Sequence, residues 1–322
     1  MTRMTVIKRP LHEQRIQESS TEETLEYERL AWPYRLALPM MFLFAVYVHL
    51  KKVFLKLFGI KPAVNIWLFD GVSINGHRVK EGAAQWSALD AVYNFKQGEG
   101  GNIFSRAVDS FWLNIRNAQA VRNRLILVKQ QLKVAILDAA RERHNGEPIR
   151  ILSLAAGAAQ GVIEVVADLF PRGIALGVVL IDQDSIALAH ALKLAKRYGI
   201  GHLFQPIRGD VRFFDRNLGG QFSPEIIEMC GLMDYLRSGI ATRLIRKIYR
   251  ALPPGGTFLT CHIHPNAESY FLRHVVDWKM LYRTLEEFGD ILVEGEFLNP
   301  SFFTEPLGIH SVAVAKKVSS VL

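Results

Sequence analysis

Asp182, Asp210 and Asp234 each stand at or just beyond the end of a short apolar run, downstream of a turn built from alanine and glycine. That turn is Ser153-Leu154-Ala155-Ala156-Gly157-Ala158-Ala159-Gln160-Gly161, and it separates the apolar steps from Ile149 from a helical pattern starting at Val162. A strand ending in such a turn lets the backbone approach a ligand, and the free N–H groups of the following helix start face it. Val178-Val179-Leu180-Ile181 then ends in Asp182-Gln183-Asp184. An acid about twenty-five residues beyond the turn is placed to take both hydroxyls of a ribose. Arg208-Gly209-Asp210-Val211 ends the next strand, where the carboxylate could accept from the exocyclic amine of adenine. Glu228-Met229-Cys230-Gly231-Leu232-Met233-Asp234-Tyr235-Leu236 ends the fourth. A lone Asp in such a place is usually a helix cap or a solvated loop residue. Recurrence at successive strand ends is what makes these three a site. No Gly-Lys-Ser/Thr follows the turn, so nothing grips a triphosphate, and the expected ligand is nucleoside-like with a small tail.

A second set of residues could handle an acceptor. Arg122, Arg124, Tyr282 and Arg283 could hold a carboxylate, which needs a cation or donors but no general base. A hydroxyl or amine would favour a base, for which His262, His264 or Asp234 is best placed. Asn117 and Tyr235 add polar contacts. His262-Ile263-His264 alternates across a strand end, so only one histidine can face the cleft, and no third ligand supports a metal. Trp278 and Tyr282 would share a helix face, where packing is their expected role. Cys230 and Cys261 lie in apolar segments without disulfide or zinc spacing, which points to a reducing compartment.

Positioning these groups requires alternating strands and helices. From Ile149 the pattern gives strands Ile149–Leu154, Ala175–Ile181, Leu203–Ile207, Ile226–Leu232 and Thr257–Ile263. Helices are expected at Gly161–Phe170, Ser185–Arg197, Arg243–Ala251 and Val275–Phe288, before a strand pair Ile291–Leu298 and Ser311–Ala315. Such repetition implies a mostly parallel sheet covered on both faces, with ligands beyond the carboxyl ends of its strands. Upstream, Ser110–Arg143 reads as one long helix and Ala83–Phe95 as another. Ala63–Val79 carries hairpin chemistry at Asp70-Gly71 and Asn75-Gly76.

The 322 residues carry a net charge of +8, which suits an acidic partner such as anionic lipid, an anionic substrate or nucleic acid. Residues 1–30 form a polar, Glu-rich arm with no signal-peptide pattern. Residues 31–62 are apolar. Within them, Leu36–Leu50 as a helix would reach roughly 22 Å, short of the roughly 30 Å hydrocarbon core, with Pro39 inside. With Arg35 and Lys51-Lys52 at its ends, the segment 36–60 suits a membrane surface, a greasy lid or a core helix. Residues 63–148 would form a mainly helical substrate cap, and 149–322 the α/β domain.

From Ile149 to Lys317 the sequence resembles class I S-adenosylmethionine-dependent methyltransferases. The run LSLAAGAAQG stands for the glycine motif, LIDQD for the ribose acid, RGDV for the adenine-side acid and ALPPGGTFL for the turn into the fifth strand. The resemblance implies a Rossmann-like, mostly parallel seven-stranded sheet with a C-terminal antiparallel hairpin, beside a mainly helical N-terminal extension. It implies S-adenosyl-L-methionine held by Ser153, Ala155, Gly157, Gln160, Asp182, Gln183, Asp210, Val211, Cys230 and Gly231. The sequence departs from that pattern at Ser153, where an acid is usual, and at Ala155 and Ala159, where glycines are usual. Over about 110–317, Asn117–Arg124, the GLMDYL run and Asp277–Arg283 resemble bacterial methyltransferases that make fatty-acyl methyl ester signals. That likeness implies a small apolar or lipid-like acceptor, such as a fatty-acyl carboxylate. The residue chemistry above makes Tyr282, Arg283, His262 and Asp234 the candidates at the reaction and Asn117, Arg122, Arg124, Tyr235 and His264 those on the acceptor. A nucleic-acid methyltransferase and a non-catalytic membrane-associated protein keeping the fold are the rivals. Against nucleic acid, the chain lacks a base-handling motif, an RNA-binding module and a dense Lys/Arg run. The expected location is cytoplasmic, peripheral at the inner membrane face.

Overall fold

The computed structural model describes residues 26–29, 31–60, 67, 71–98, 101–142, 147–218 and 222–318. Five helices come first: α1 (Trp32–Leu57), α2 (Ile74–Glu81), α3 (Trp86–Tyr93), α4 (Ile103–Trp112) and α5 (Arg116–Glu142). Strands and helices then alternate: β1 (Ile149–Leu154), α6 (Gln160–Leu169), β2 (Leu176–Asp182), α7 (Ser185–Arg197), β3 (Phe204–Arg208), α8 (Phe214–Asn217), β4 (Ile226–Met229), α9 (Ser238–Ala251) and β5 (Thr257–Ile263). The chain closes with α10 (Ser269–His274), α11 (Leu285–Glu294), β6 (Ser301–Thr304) and β7 (His310–Lys316).

The seven strands form one sheet in the order β3-β2-β1-β4-β5-β7-β6, parallel except for β7, which runs antiparallel to β5 and β6. Strands β1 and β5 are buried almost throughout, as strands covered on both faces must be. One face packs against α5, α6 and α7, and the other against α9 and α11. A third apolar cluster joins α1, the short helices and α10 beyond the strand ends. Parallel pairing sets Ser153 beside Leu180 on β2 and Glu228 on β4. The carboxyl ends of β1, β2 and β4 therefore meet at one place.

Several expected elements differ. Ser110–Arg143 is two helices, broken at Leu113-Asn114-Ile115. The released carbonyls are taken up by side chains: Arg122 donates to Leu113 O at 2.6 Å and Gln119 to Asn114 O at 2.7 Å. Asn75-Gly76 belongs to a helix, not a hairpin, because Ser73 caps α2 and its hydroxyl donates to Asp109. Val64, Ile66, Leu68 and Asp70 lie outside the described residues, as does most of the 1–30 arm. Of the expected helix Val275–Phe288, only Leu285–Phe288 is helical. Residues 275–284 form an irregular strap bonded to the sheet end through Leu281 N to Asp234 O and Arg283 N to Ile263 O. Helix α11 starts only at a Thr284/Glu287 capping box. The expected strand Ile291–Leu298 is therefore partly helix, and β6 follows it at Ser301–Thr304. In the apolar segment, α1 runs unbroken through Pro39 for 26 residues.

Candidate active site

The turn after β1 holds three left-handed residues: Ala155 at φ 50°, Gly157 at 53° and Ala159 at 49°. Alanine rarely adopts this conformation, and strain of this kind collects at functional turns. Ala159 is the residue before α6, so the two alanines do hold the backbone geometry for which glycine is the easy solution. At Gly157 a β-carbon would also lie 3.2 Å from Trp86 Cβ on α3. Gly161 serves packing, since a β-carbon there would approach Leu125 of α5 to 3.1 Å.

Asp182 organises this turn. One carboxylate oxygen accepts from Gly157 N and the other from Asp184 N, both at 2.8 Å. Each oxygen keeps a further acceptor direction. Asp184 caps α7 by accepting from Ile186 N, and its other oxygen accepts from the Trp86 indole at 2.9 Å. A helix of the N-terminal region is thus fastened over the glycine turn.

Ser153 does not leave the end of β1 without an acid. Its hydroxyl donates to Glu228 at 2.6 Å, and Glu228 also accepts from Cys230 N. Burial raises the Glu228 carboxyl pKa. A carboxylate thus stands beside Ser153 on the neighbouring strand, a pairing that strand register reveals and linear spacing hides.

These groups border a cavity of about 430 Å³, within the ~300–1,000 Å³ typical of small-molecule sites. At one end lie Ala155, Gly157, Gln160, Asp182, Gln183, Cys230 and Gly231. The cavity continues between α5, the short helices and α10 into an apolar basin that includes Trp112, Val121, Leu272, Val276 and Trp278. Asn117, Arg124, Asp234, Tyr235 and His310 supply its polar wall. Arg124 is the one Lys or Arg lining it among the described residues. The residue is 4% exposed, and its guanidinium donates to the Tyr93 hydroxyl at 2.7 Å and lies 3.9 Å from Asp234. Asn117 is partly committed, because its amide donates to Glu268, whose carboxylate caps the start of α5. Tyr235 accepts from Trp278 at 2.6 Å, and burial raises its phenol pKa.

Several expected site residues stand elsewhere. Arg122 pairs with Glu28 and braces the α4–α5 break. Asp210 caps the turn after β3 and pairs with Arg212, which holds its carboxyl below the usual range, while Val211 is buried beside it. None of these three lines the cavity. Arg283 donates to Met233 O and Leu236 O, fixing the loop that carries Asp234. Tyr282 lies on the strap, with its phenol pushed up to about 12 by burial. It shares no helix face with Trp278. His262 lies 2.8 Å from Asp234 Oδ1 and is fully buried. His264 is held between Arg283 O and Ser311 Oγ, and burial lowers its pKa. Of that alternating triplet the middle residue, Ile263, reaches the cavity.

The histidine that does reach it is His310, at the start of β7. It is 1% exposed, neither ring nitrogen has a hydrogen-bond partner, and burial followed by the Arg124 charge holds its pKa well below 6.5. Sequence reasoning missed it, together with Trp86, Tyr93 and the bond between Ser153 and Glu228. His310 is the first residue of β7, one position before the expected strand Ser311–Ala315, and no local pattern marks it. Among the described residues no cluster of His, Cys, Asp and Glu could hold a metal.

A sheet in this order, with a glycine turn after β1 and acids at the ends of β2 and β4, defines a Rossmann-like methyltransferase fold. The chain belongs to the family described as "Putative methyltransferase", which matches residues 7–317. A crystal structure of a possible exported protein from Bordetella parapertussis covers 89% of this chain and 97% of its own, with a TM-score of 0.65 and 17% identity. The CMeT domain of the citrinin polyketide synthase covers 78% of this chain and 67% of its own, at TM-score 0.51 and 16% identity. The CurJ carbon methyltransferase covers 79% and 68%, at TM-score 0.50 and 11% identity. These likenesses concern the fold. The uncharacterized protein YnbC of Escherichia coli K12 is 29% identical over 140 residues, 43% of this chain. The match spans about a fifth of YnbC, 21% of its length.

Proposed function

We propose that the protein transfers a methyl group from S-adenosylmethionine to the carboxylate of a small apolar or lipid-like acid, such as a fatty-acyl chain. The observation that carries this is the course of the cavity: it starts at the glycine turn and Asp182 and ends in an apolar basin with one buried guanidinium, Arg124. The cofactor end fits. Gly157 lines the cavity in a left-handed conformation that glycine adopts without strain, Asp182 keeps acceptor directions for a ribose, and the Glu228 carboxylate at the wall would face an ammonium group. When bound, the cofactor supplies a methyl carbon already electrophilic, and its transfer to a carboxylate leaves a methyl ester with no proton to move. The protein's part is then alignment in a site with little water. Arg124, oriented by Tyr93, holds the carboxylate, Asp234 keeps that guanidinium in place, and the apolar basin takes the chain.

A second reading rests on His310. A buried neutral imidazole with both nitrogens free is suited to accept a proton from a hydroxyl. Calorimetry with S-adenosylmethionine, followed by labelled methyl transfer to matched fatty acids and fatty alcohols, separates the readings. Ester formation from the acids, lost in Arg124→Met and retained in His310→Gln, is the expected result. Ether formation from the alcohols, lost in His310→Gln, would replace the first reading with the second. Absence of cofactor binding at millimolar concentration would remove both.

A further inference from the structure

Helix α1 exposes a long apolar stripe outside this site. On α1, Leu36, Met40, Leu43, Leu50, Phe54 and Leu57 recur at spacings of three, four or seven and are each more than half exposed. Tyr47 falls in the same stripe. The opposite stripe is already used: Met41, Ala45 and Val48 are buried in the cluster that contains Phe271 and Val275. No described side chain of α1 lines the cavity, so a lid role does not account for the exposed stripe.

Beside the C-terminal half of this helix is a second cleft, of about 280 Å³, between α1, α10 and the strap. Lys52, Lys56, Arg273 and Lys279 line it against one carboxylate, Asp277. Lys52 takes up that carboxylate at 2.6 Å. Val53, 42% exposed, belongs both to the cleft wall and to the apolar surface.

We propose that α1 lies in the plane of an anionic phospholipid bilayer, with its exposed stripe among the acyl chains and a lipid phosphate in the Lys56/Arg273/Lys279 cleft. By length and composition α1 could cross a membrane. Its attachments argue for lying flat instead. Tyr34 donates to Ser110 O near one end and Lys52 pairs with Asp277 near the other, roughly 27 Å apart along the helix, so spanning would tear it from the domain. The charge selects the occupant. Helix α1 contains no Asp or Glu and carries Arg35, Lys51, Lys52 and Lys56. A second copy on the same stripe would add its own cations with no acid on α1 to pair either set, whereas an anionic surface attracts them. This is the arrangement of an interfacial helix: apolar below, cations at headgroup level, an aromatic at the boundary.

The inference stands apart from the methyl-transfer reading, and its test needs no activity. The full chain is sedimented with phosphatidylcholine vesicles with and without phosphatidylglycerol, and its oligomeric state is measured by analytical ultracentrifugation. Strong binding is expected only to vesicles containing phosphatidylglycerol. Leu43→Glu/Leu50→Glu is expected to abolish binding with an unchanged circular dichroism spectrum, since both side chains are exposed. Lys56→Glu/Arg273→Glu is expected to weaken it on the order of tenfold or more. Equal partitioning of wild type and the Leu43/Leu50 variant would overturn the proposal. So would a wild-type dimer that this variant makes monomeric, since a second copy would then be the occupant. Binding of inorganic phosphate in the cleft without vesicle binding would overturn the lipid assignment as well.

Discussion

The turn at residues 155–159 asks two alanines to do what glycine does more easily. A left-handed alanine costs about 1–2 kcal/mol, part of which it recovers by restricting the unfolded chain. Ala155→Gly and Ala159→Gly should therefore each raise stability by on the order of 0.5–1 kcal/mol, read as a shifted urea midpoint with unchanged slope. Gly157→Val should do the reverse, since it adds positive-φ strain and presses on Trp86. Calorimetry should show cofactor binding abolished; normal binding by that variant would refute the assignment of this turn. Asp182→Ala removes the acceptor of Gly157 N and should weaken cofactor binding for the same geometric reason. On the acceptor side, Arg124→Met should cost about 2–5 kcal/mol of carboxylate binding, appearing as a higher KM with cofactor affinity kept. All five of these residues, Ala155, Gly157, Ala159, Asp182 and Arg124, stood out in the sequence. Glu228 as the partner of Ser153 did not, because the bond crosses between strands 75 positions apart.

At the scale of elements, the regular part of the pattern was readable and the irregular part was not. Strands β1, β2 and β5 and helix α7 announce themselves by apolar run length and by caps such as Asp184. The strap at 275–284 contains enough apolar residues to mimic a helix, yet its backbone groups bond to Asp234 and Ile263 instead. Tertiary partners outweigh a weak local preference there. The true helix start at Thr284 did carry a signal, the Thr-x-x-Glu capping box. Thr284→Ala should lower stability by about 0.5–2 kcal/mol, measured by denaturant titration, while cofactor binding stays as in wild type.

For the molecule as a whole, the buried titratable groups set an acid limit. Burial lowers His310, His264 and His274 below the ordinary histidine value of 6.5. Their neutral forms therefore stabilise the fold above that pH, and the unfolded chain binds protons first as pH falls. Stability should decline from about pH 6.5 downward, as a falling urea midpoint between pH 7 and 5. His310→Leu should flatten part of that decline. Glu228 and Glu268, both raised by burial, act with the opposite sign, penalising the fold as pH rises above 4.5.

By itself the sequence determined the α/β class, the glycine turn, Asp182 and the apolar character of α1, because each depends on local periodicity or on short spacing. The tertiary structure decided which polar groups converge. It turned Arg122, Asp210, His262 and His264 away from the cavity and brought Arg124, Glu228 and His310 to it. It also left one stripe of α1 bare. Convergence depends on strand register and helix packing between residues far apart in the chain, and those are fixed only when the whole core closes.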